Sequence, residues 1–156
     1  MTLLWHAEEP IGVCVFTSPP LCLHHRNRYF GLSAQCSRLR IRALNTQLVT
    51  LSRVVLHPTY RGAGVAAQFV RRACETCPWP WIETLTEMGR FNPFFEKAGF
   101  QRLGVSPTIG HTRKGHSSLY GSRRHGRKKV LVSKETFQKS RHAQPIYYLF
   151  DNRQNS

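Results

Sequence analysis

The residues best suited to chemistry lie in the run RVVLHPTYRGAGVA, from Arg53 to Ala66. A β-branched stretch, Leu48 to Leu56, stops at His57-Pro58, and glycines follow at 62 and 64. Val65, Ala66, Phe69, Val70 and Ala73 then recur on one helical face, with Arg71 and Arg72 opposite. A strand that turns tightly into a helix aims unpaired backbone N–H groups, and the positive end of the helix dipole, at one point. Glycine lets a ligand approach closely because no Cβ intervenes, and Arg61 adds a fixed charge. Such a turn can cradle a pyrophosphate. The same glycines would also serve an ordinary strand-to-helix turn. Val65-Ala66 excludes a P-loop, which needs Lys then Ser or Thr after its second glycine, and the three-glycine dinucleotide fingerprint is not met.

Several elements must position this turn. Leu3 to His6, Glu8-Glu9-Pro10 and Ile11 to Phe16 read as strand, turn and strand, stopped by Ser18-Pro19-Pro20. Residues 21–44 show little periodicity and hold five arginines with no acid, which predicts a basic loop with room for one short helix. The helix after Gly64 closes near Cys77-Pro78, and Trp81 to Met88 is a strand. Asn92-Pro93 opens a short helix, with Asn92 as its cap, and Gly99 closes it. Phe100 to Val105 forms the next strand. Residues 106–129, rich in Gly, Ser, His and Arg, read as a loop. Ser133 caps a short helix reaching about His142, and Pro145 leads into a last strand, Ile146 to Phe150. The order predicts a mixed α/β sheet.

Two segments carry a family resemblance. The turn resembles the acyl-CoA-binding motif of the GCN5-related N-acetyltransferase family: a strand ending in hydrophobic-x-Pro, then Arg-x-x-Gly-x-Ala, here Arg61, Gly64 and Ala66. About thirty residues later, FFEKAGF (94–100) is similar to that family's second signature. The resemblance covers residues 3–105, with Ile146 to Phe150 as the last strand. It implies a sheet of the acyl-CoA N-acyltransferase type that lacks the first strand and two helices, so that an upstream segment is expected. Residues 1–105 form the core, 106–145 a basic insertion, and 146–156 the last core strand and tail. The implied activity is N-acetyltransfer: an amine acceptor attacks acetyl-CoA directly, and an oxyanion forms near a strand N–H. The pantetheine arm would lie between Leu48–Leu56 and Trp81–Met88, against the main chain of Val54, Val55 and Leu56. Arg61, Gly62, Ala63, Gly64, Val65 and Ala66 would hold the pyrophosphate, and Asn92 joins the cofactor-binding set.

The pattern is broken where protons move. Family members often carry a Glu where this chain has Ser52, and a Tyr where it has Phe95. His57, Glu83 and Ser52 are the remaining catalytic candidates, with Glu87 beside them and Tyr120, Tyr147 and Tyr148 as acids. An alternating strand Glu usually faces solvent, and paired tyrosines in a last strand usually pack. A lysine-type amine is protonated at pH 7 and needs a base, whereas a nucleobase or arylamine nitrogen does not. The missing Glu therefore favours an acceptor nitrogen that is already neutral.

Charge and composition bound the rest. The 156 residues predict one domain, and 23 Lys plus Arg against 8 Asp plus Glu give a net charge of +15. Residues 101–156 alone carry +10, including Arg123, Arg124, Arg127, Lys128 and Lys129, a cluster expected to contact nucleic acid or another polyanion. His24 to Phe30 mixes basic and aromatic residues as single-strand-binding surfaces do. Two alternatives follow: a nucleic-acid-modifying enzyme of the same fold, distantly like the Mom-type phage enzymes, or an inactive nucleic-acid-binding relative. Cys74 and Cys77 form a lone CxxC, read as two reduced cysteines at a helix end, with no metal site expected. No apolar run approaches the ~20 residues of a membrane helix, and five cysteines without a secretory signal predict a cytoplasmic protein that makes no membrane contact.

Overall fold

β-Branched runs and one strongly amphipathic helix organise the structure, a computed structural model that describes residues 1–32, 37–106 and 144–153. Among the described residues six strands form one mixed sheet: β1 (Thr2–His6), β2 (Glu9–Thr17), β3 (Leu48–Leu56), β4 (Trp81–Thr86), β5 (Gln101–Val105) and β6 (Ile146–Asp151). Their order across the sheet is β1-β2-β3-β4-β6-β5. Every neighbouring pair is antiparallel except β3 with β4, which is parallel. Among the described residues four helices flank the sheet: α1 (His24–Tyr29), α2 (Arg38–Asn45), α3 (Val65–Glu75) and α4 (Phe94–Lys97).

The parallel pair fixes the site. Backbone pairing of β3 with β4 joins Leu48, Val49 and Thr50 to Trp81, Ile82 and Glu83 and then stops, although β3 continues to Leu56 and β4 to Thr86. On its other side β3 stays paired to β2 as far as Leu56. That ladder slips between Val15 and Phe16, leaving Ser52 as the extra residue of a β-bulge. A bulge bends and twists its strand, which suits a strand that leaves one neighbour and keeps the other.

Two apolar clusters sit on opposite faces. On one, α3 buries Phe69, Val70, Ala73 and Cys74 against Cys14, Val49, Leu51, Leu56 and Ile82, and α4 adds Phe95. Each large side chain so buried contributes about 1.5–3 kcal/mol. On the other face Leu48, Trp81, Tyr147 and Leu149 pack with Leu23 and Phe30, the residues flanking α1.

Residues 21–44 differ from the expected basic loop. They contain α1 and most of α2, although α1 has only six residues and no side-chain cap. Tertiary packing, not local propensity, holds so short a helix. β4 ends at Thr86 instead of Met88, because the Thr86 hydroxyl accepts the Met88 N–H at 3.1 Å and starts a 3₁₀ turn over Met88–Arg90. Asn92 does not cap α4; Pro93 holds that position, without a side-chain hydrogen bond. The helix expected from Ser133, Tyr120, and the cluster Arg123, Arg124, Arg127, Lys128 and Lys129 lie outside the described residues. Among the described residues no helix is long and apolar enough to cross a membrane.

Candidate functional site

The turn between β3 and α3 takes the geometry its glycines allow. Gly62 and Gly64 have φ of 85° and 77°, a left-handed conformation that side chains rarely adopt. Gly64 is the N-cap of α3, and with no side chain it leaves the first N–H groups of the helix without a side-chain cap. A Cβ built on either glycine meets nothing within 4 Å, so the space in front of the turn is open. Arg61 folds back to donate from Nε to the Leu56 carbonyl at 3.1 Å, which holds its guanidinium at the end of β3. Ala63 is exposed, Val65 is half-buried, and Ala66 packs onto the α3-side cluster. These residues fit an anionic diphosphate.

Below the turn lies the opened edge of β3. Val54 and Leu56 face the α3 side, and Val55 between them is half exposed on the other. No strand among the described residues pairs with the β4 side of β3 beyond Thr50. One side chain bridges the gap at its narrow end: Thr84 Oγ1 donates to the Leu51 carbonyl at 2.9 Å. An extended ligand that offers amide groups could add to the wide end as a strand would.

At the point where β3 and β4 separate, the structure places a buried polar network. Glu83 is fully buried. Its Oε1 accepts from Arg26 Nη1 at 3.2 Å and from Thr50 Oγ1 at 2.9 Å, and its Oε2 accepts from Tyr147 Oη at 2.8 Å. Arg26, also fully buried, donates its other terminal nitrogen to the Pro20 carbonyl at 2.7 Å. Burial pushes the Glu83 carboxyl up from its ordinary range; Tyr147, Arg26 and Thr50 pull it back. Burial and the charge of Glu83 push the Tyr147 phenol up, so it stays a donor. His25 stacks on Tyr147 and fills the space a Cβ at Gly104 would need, which ties α1 to β5.

The three catalytic candidates are not brought together. Glu83 is not the solvent-facing strand residue its alternation suggested; it holds three donors and is enclosed. Ser52 is exposed at the bulge, and its hydroxyl donates to the Val15 carbonyl, toward β2 and away from β4. His57 stands seven residues beyond Thr50, about 23 Å along an extended strand, with its ring edge-on to Tyr60. The Tyr60 hydroxyl in turn bonds His6 Nδ1 at 2.8 Å. Glu87 is exposed. Asn92 is exposed too, its backbone N–H donating to Met88.

A phenol does reach the Phe95 position. Tyr148 stacks on the Phe95 ring with centroids 5.5 Å apart, and its hydroxyl donates to Glu96 Oε1 at 2.8 Å. Burial, with the Glu96 hydrogen bond second, pushes Tyr148 up to about 12. Such a phenol does not yield its proton to a thiolate, whose conjugate acid lies near 8.5, but it remains a hydrogen-bond donor.

The basic-aromatic segment 24–30 also changes character. Arg26 is inside, His25 and Phe30 are packed, and Arg28 and Tyr29 are left at the surface. Cys74 is fully buried and pushed well up by desolvation, so it is a poor thiolate. Among the described residues no three His, Cys, Asp or Glu side chains converge as metal ligands.

Arg26 and Thr50 are the members that sequence reasoning missed. An arginine in a stretch without acids gives no hint of a carboxylate partner 57 residues away. The chain matches no protein-family model and no curated protein.

Proposed function

We propose that this chain is an acetyl-CoA-dependent N-acetyltransferase of the GCN5-related type. One observation carries the reading: a glycine turn with an open front caps a strand whose pairing with β4 stops at Thr50, leaving that edge free of a partner strand among the described residues. A pyrophosphate held at Arg61–Ala66 directs the rest of an extended acyl donor along that edge. Acetyl-CoA supplies an acyl thioester; the chain supplies N–H groups at the turn and main-chain groups of Val54 to Leu56. Glu83, engaged by Arg26, Thr50 and Tyr147, is not free to accept a proton. The acceptor is accordingly an amine whose nitrogen is neutral near pH 7.

Calorimetry with acetyl-CoA tests the reading. Gly64→Asp places a Cβ and a negative charge in front of the helix N-terminus and should abolish binding while far-UV circular dichroism stays unchanged. Retained affinity in the folded variant removes the assignment. Release of CoA in the presence of arylamine, nucleoside and protein pools would identify the acceptor class.

A further inference from the structure

We propose that the α1–α2 face of the sheet is a docking surface for single-stranded nucleic acid, held by Arg28, Arg38, Arg40, Arg42 and Arg53. The proposal goes beyond acyl transfer and stands whether or not acetyl-CoA binds.

Between Pro10 and Cys74 the chain has nine arginines and no Lys, Asp or Glu. Four of the nine have partners. Arg26 meets Glu83, Arg61 meets the Leu56 carbonyl, and Arg71 and Arg72 both meet Glu75. The side chains of the other five, all exposed, make no ion pair or hydrogen bond among the described residues.

Arg28 and Arg53 lie on the α1 face of the sheet, and α2, tied by Asn45 to the Leu21 carbonyl ahead of α1, carries Arg38 and Arg42 on one stripe with Arg40 about half a turn round. α1 packs on the Tyr147 and Leu149 face, and α2 lies against β3. Arg53 alternates with Val54, which fills the opposite cluster, so it projects toward the α1 side. The described acids are elsewhere or engaged: Glu75 and Glu96 lie on helices of the other face, Glu83 is buried, Glu8 and Glu9 sit at the β1–β2 turn, Glu87 follows β4, and Asp151 at the end of β6 is paired with Arg153. Arg38 and Arg42, four apart on one helix, repel each other and weaken α2 slightly. Nothing described on this face compensates them, and an external polyanion would.

The composition narrows the partner. Guanidinium forks match phosphate oxygens in pairs and stack on flat rings, which ammonium groups do not. Apolar side chains stand among the arginines: Leu39 is 75% exposed and Tyr29 42%. On β1, Trp5 is 55% exposed and alternates with Leu4, which packs in the α3-side cluster. Unstacked bases can use such side chains; a closed duplex hides its base faces from them.

The test uses the full chain and a fluorescein-labelled mixed-sequence RNA of about 20 nucleotides, enough for one or more such sites. Anisotropy is read across a sodium chloride titration, beside the matching duplex. Parent protein should bind the single strand more tightly than the duplex, with a steep salt dependence. Replacing Arg38, Arg40, Arg42 and Arg53 by Gln should weaken binding about tenfold or more. It should also flatten the log–log salt slope by about 0.7 for each lost phosphate contact. Arg71→Gln with Arg72→Gln, on the other face, should leave affinity within about twofold, because phosphate contacts act locally. All these side chains are exposed and their helix pairs are worth about 0.2–0.5 kcal/mol each, so thermal melts should differ by a few degrees at most. The proposal is overturned if the four-site variant binds like the parent, or if the duplex is preferred. It also fails if the parent binds phosphatidylserine vesicles and no RNA at about 50 mM salt, where phosphate attraction is strong.

Discussion

The two faces of this sheet are closed by different forces. On the α3 face an eleven-residue helix with Phe69, Val70, Ala73 and Cys74 on one side lies down by hydrophobic burial. On the α1 face a six-residue helix is flanked by Leu23 and Phe30, sets the His25 and Tyr29 rings against Tyr147 and Trp81, and has Arg26 as its interior side chain. Burial alone cannot hold so short an element. The Arg26–Glu83 ion pair, with Thr50, Tyr147 and the Pro20 carbonyl, fixes where α1 sits. An ion pair of this kind adds little net stability over an apolar core but is costly to break from one side. The face carrying the glycine turn is thus generic in its packing, and the opposite face is specified by one polar network.

That contrast predicts which substitutions hurt and how they respond to pH. Phe69→Ala should cost about 3–5 kcal/mol through lost contacts and a cavity. Arg26→Met should cost a similar amount, about 3–5 kcal/mol, because Glu83 is left buried without its cation. The two costs separate in acid. Burial already holds the folded Glu83 carboxyl above its unfolded value, so its protonated form favours the folded state, and stability is lost as pH rises through the folded value. Removing Arg26 raises that value further. Urea unfolding should therefore show the Arg26→Met penalty shrinking from pH 8 to pH 5, while the Phe69→Ala penalty stays level. A constant Arg26→Met penalty would mean the network is not ionic. Adding Glu83→Leu to Arg26→Met should recover most of the loss.

The same contrast explains what is legible in the chain. The strand-to-helix turn announces itself because β-branched residues, two glycines and a 3.6-residue apolar period fall in sequence, and each is a local signal. The six strands follow from period and turn residues in the same way. α1 does not, since its place depends on a carboxylate, a phenol and a threonine hydroxyl contributed by three different strands. Glu83 is visible as a residue, yet its enclosure depends on an arginine that sequence position alone cannot pair with it. The gap beside β3 is not written in Leu51 to Leu56 themselves, since nothing there says that one neighbour stops pairing at Thr50; only the family resemblance led to the expectation of a slot between these two strands.

A smaller effect is expected at Tyr148, on the α3 face. Its phenol is pushed from about 10 to about 12, so the folded state holds that proton more tightly than the unfolded chain. Its contribution is complete below pH 10 and is lost as pH rises through 12. Tyr148→Phe should cost about 1–3 kcal/mol at pH 7, since Glu96 Oε1 loses its donor and Oε2 already lacks a partner. It should also flatten the alkaline fall in stability between pH 10 and 12. An unchanged alkaline limb would place the titration elsewhere; Cys14, pushed to about 12 by burial, is the alternative source.

The smallest effect bears on the gap where the two faces meet. Thr84→Val keeps the shape of the side chain and removes the hydroxyl that donates to the Leu51 carbonyl across the narrow end of the gap. Deleting one such bond costs about 1 kcal/mol, a shift of a few degrees in melting temperature for a domain of this size. Stability alone therefore says little here, and ligand affinity says more. Were the separation of β3 and β4 only a bend in the sheet, the variant would lose this small amount and nothing else. In a slot for an extended acyl donor, the Leu51 carbonyl becomes an unpaired acceptor facing the ligand, and the narrow end loses the cross-brace that sets its width. Acetyl-CoA affinity in Thr84→Val should then change severalfold, while adenosine diphosphate, which reaches only the Arg61–Ala66 turn, binds as to the parent. Equal changes for both ligands would show that the hydroxyl acts on the turn through general loosening. No change for either would leave the gap a bend without a role in binding.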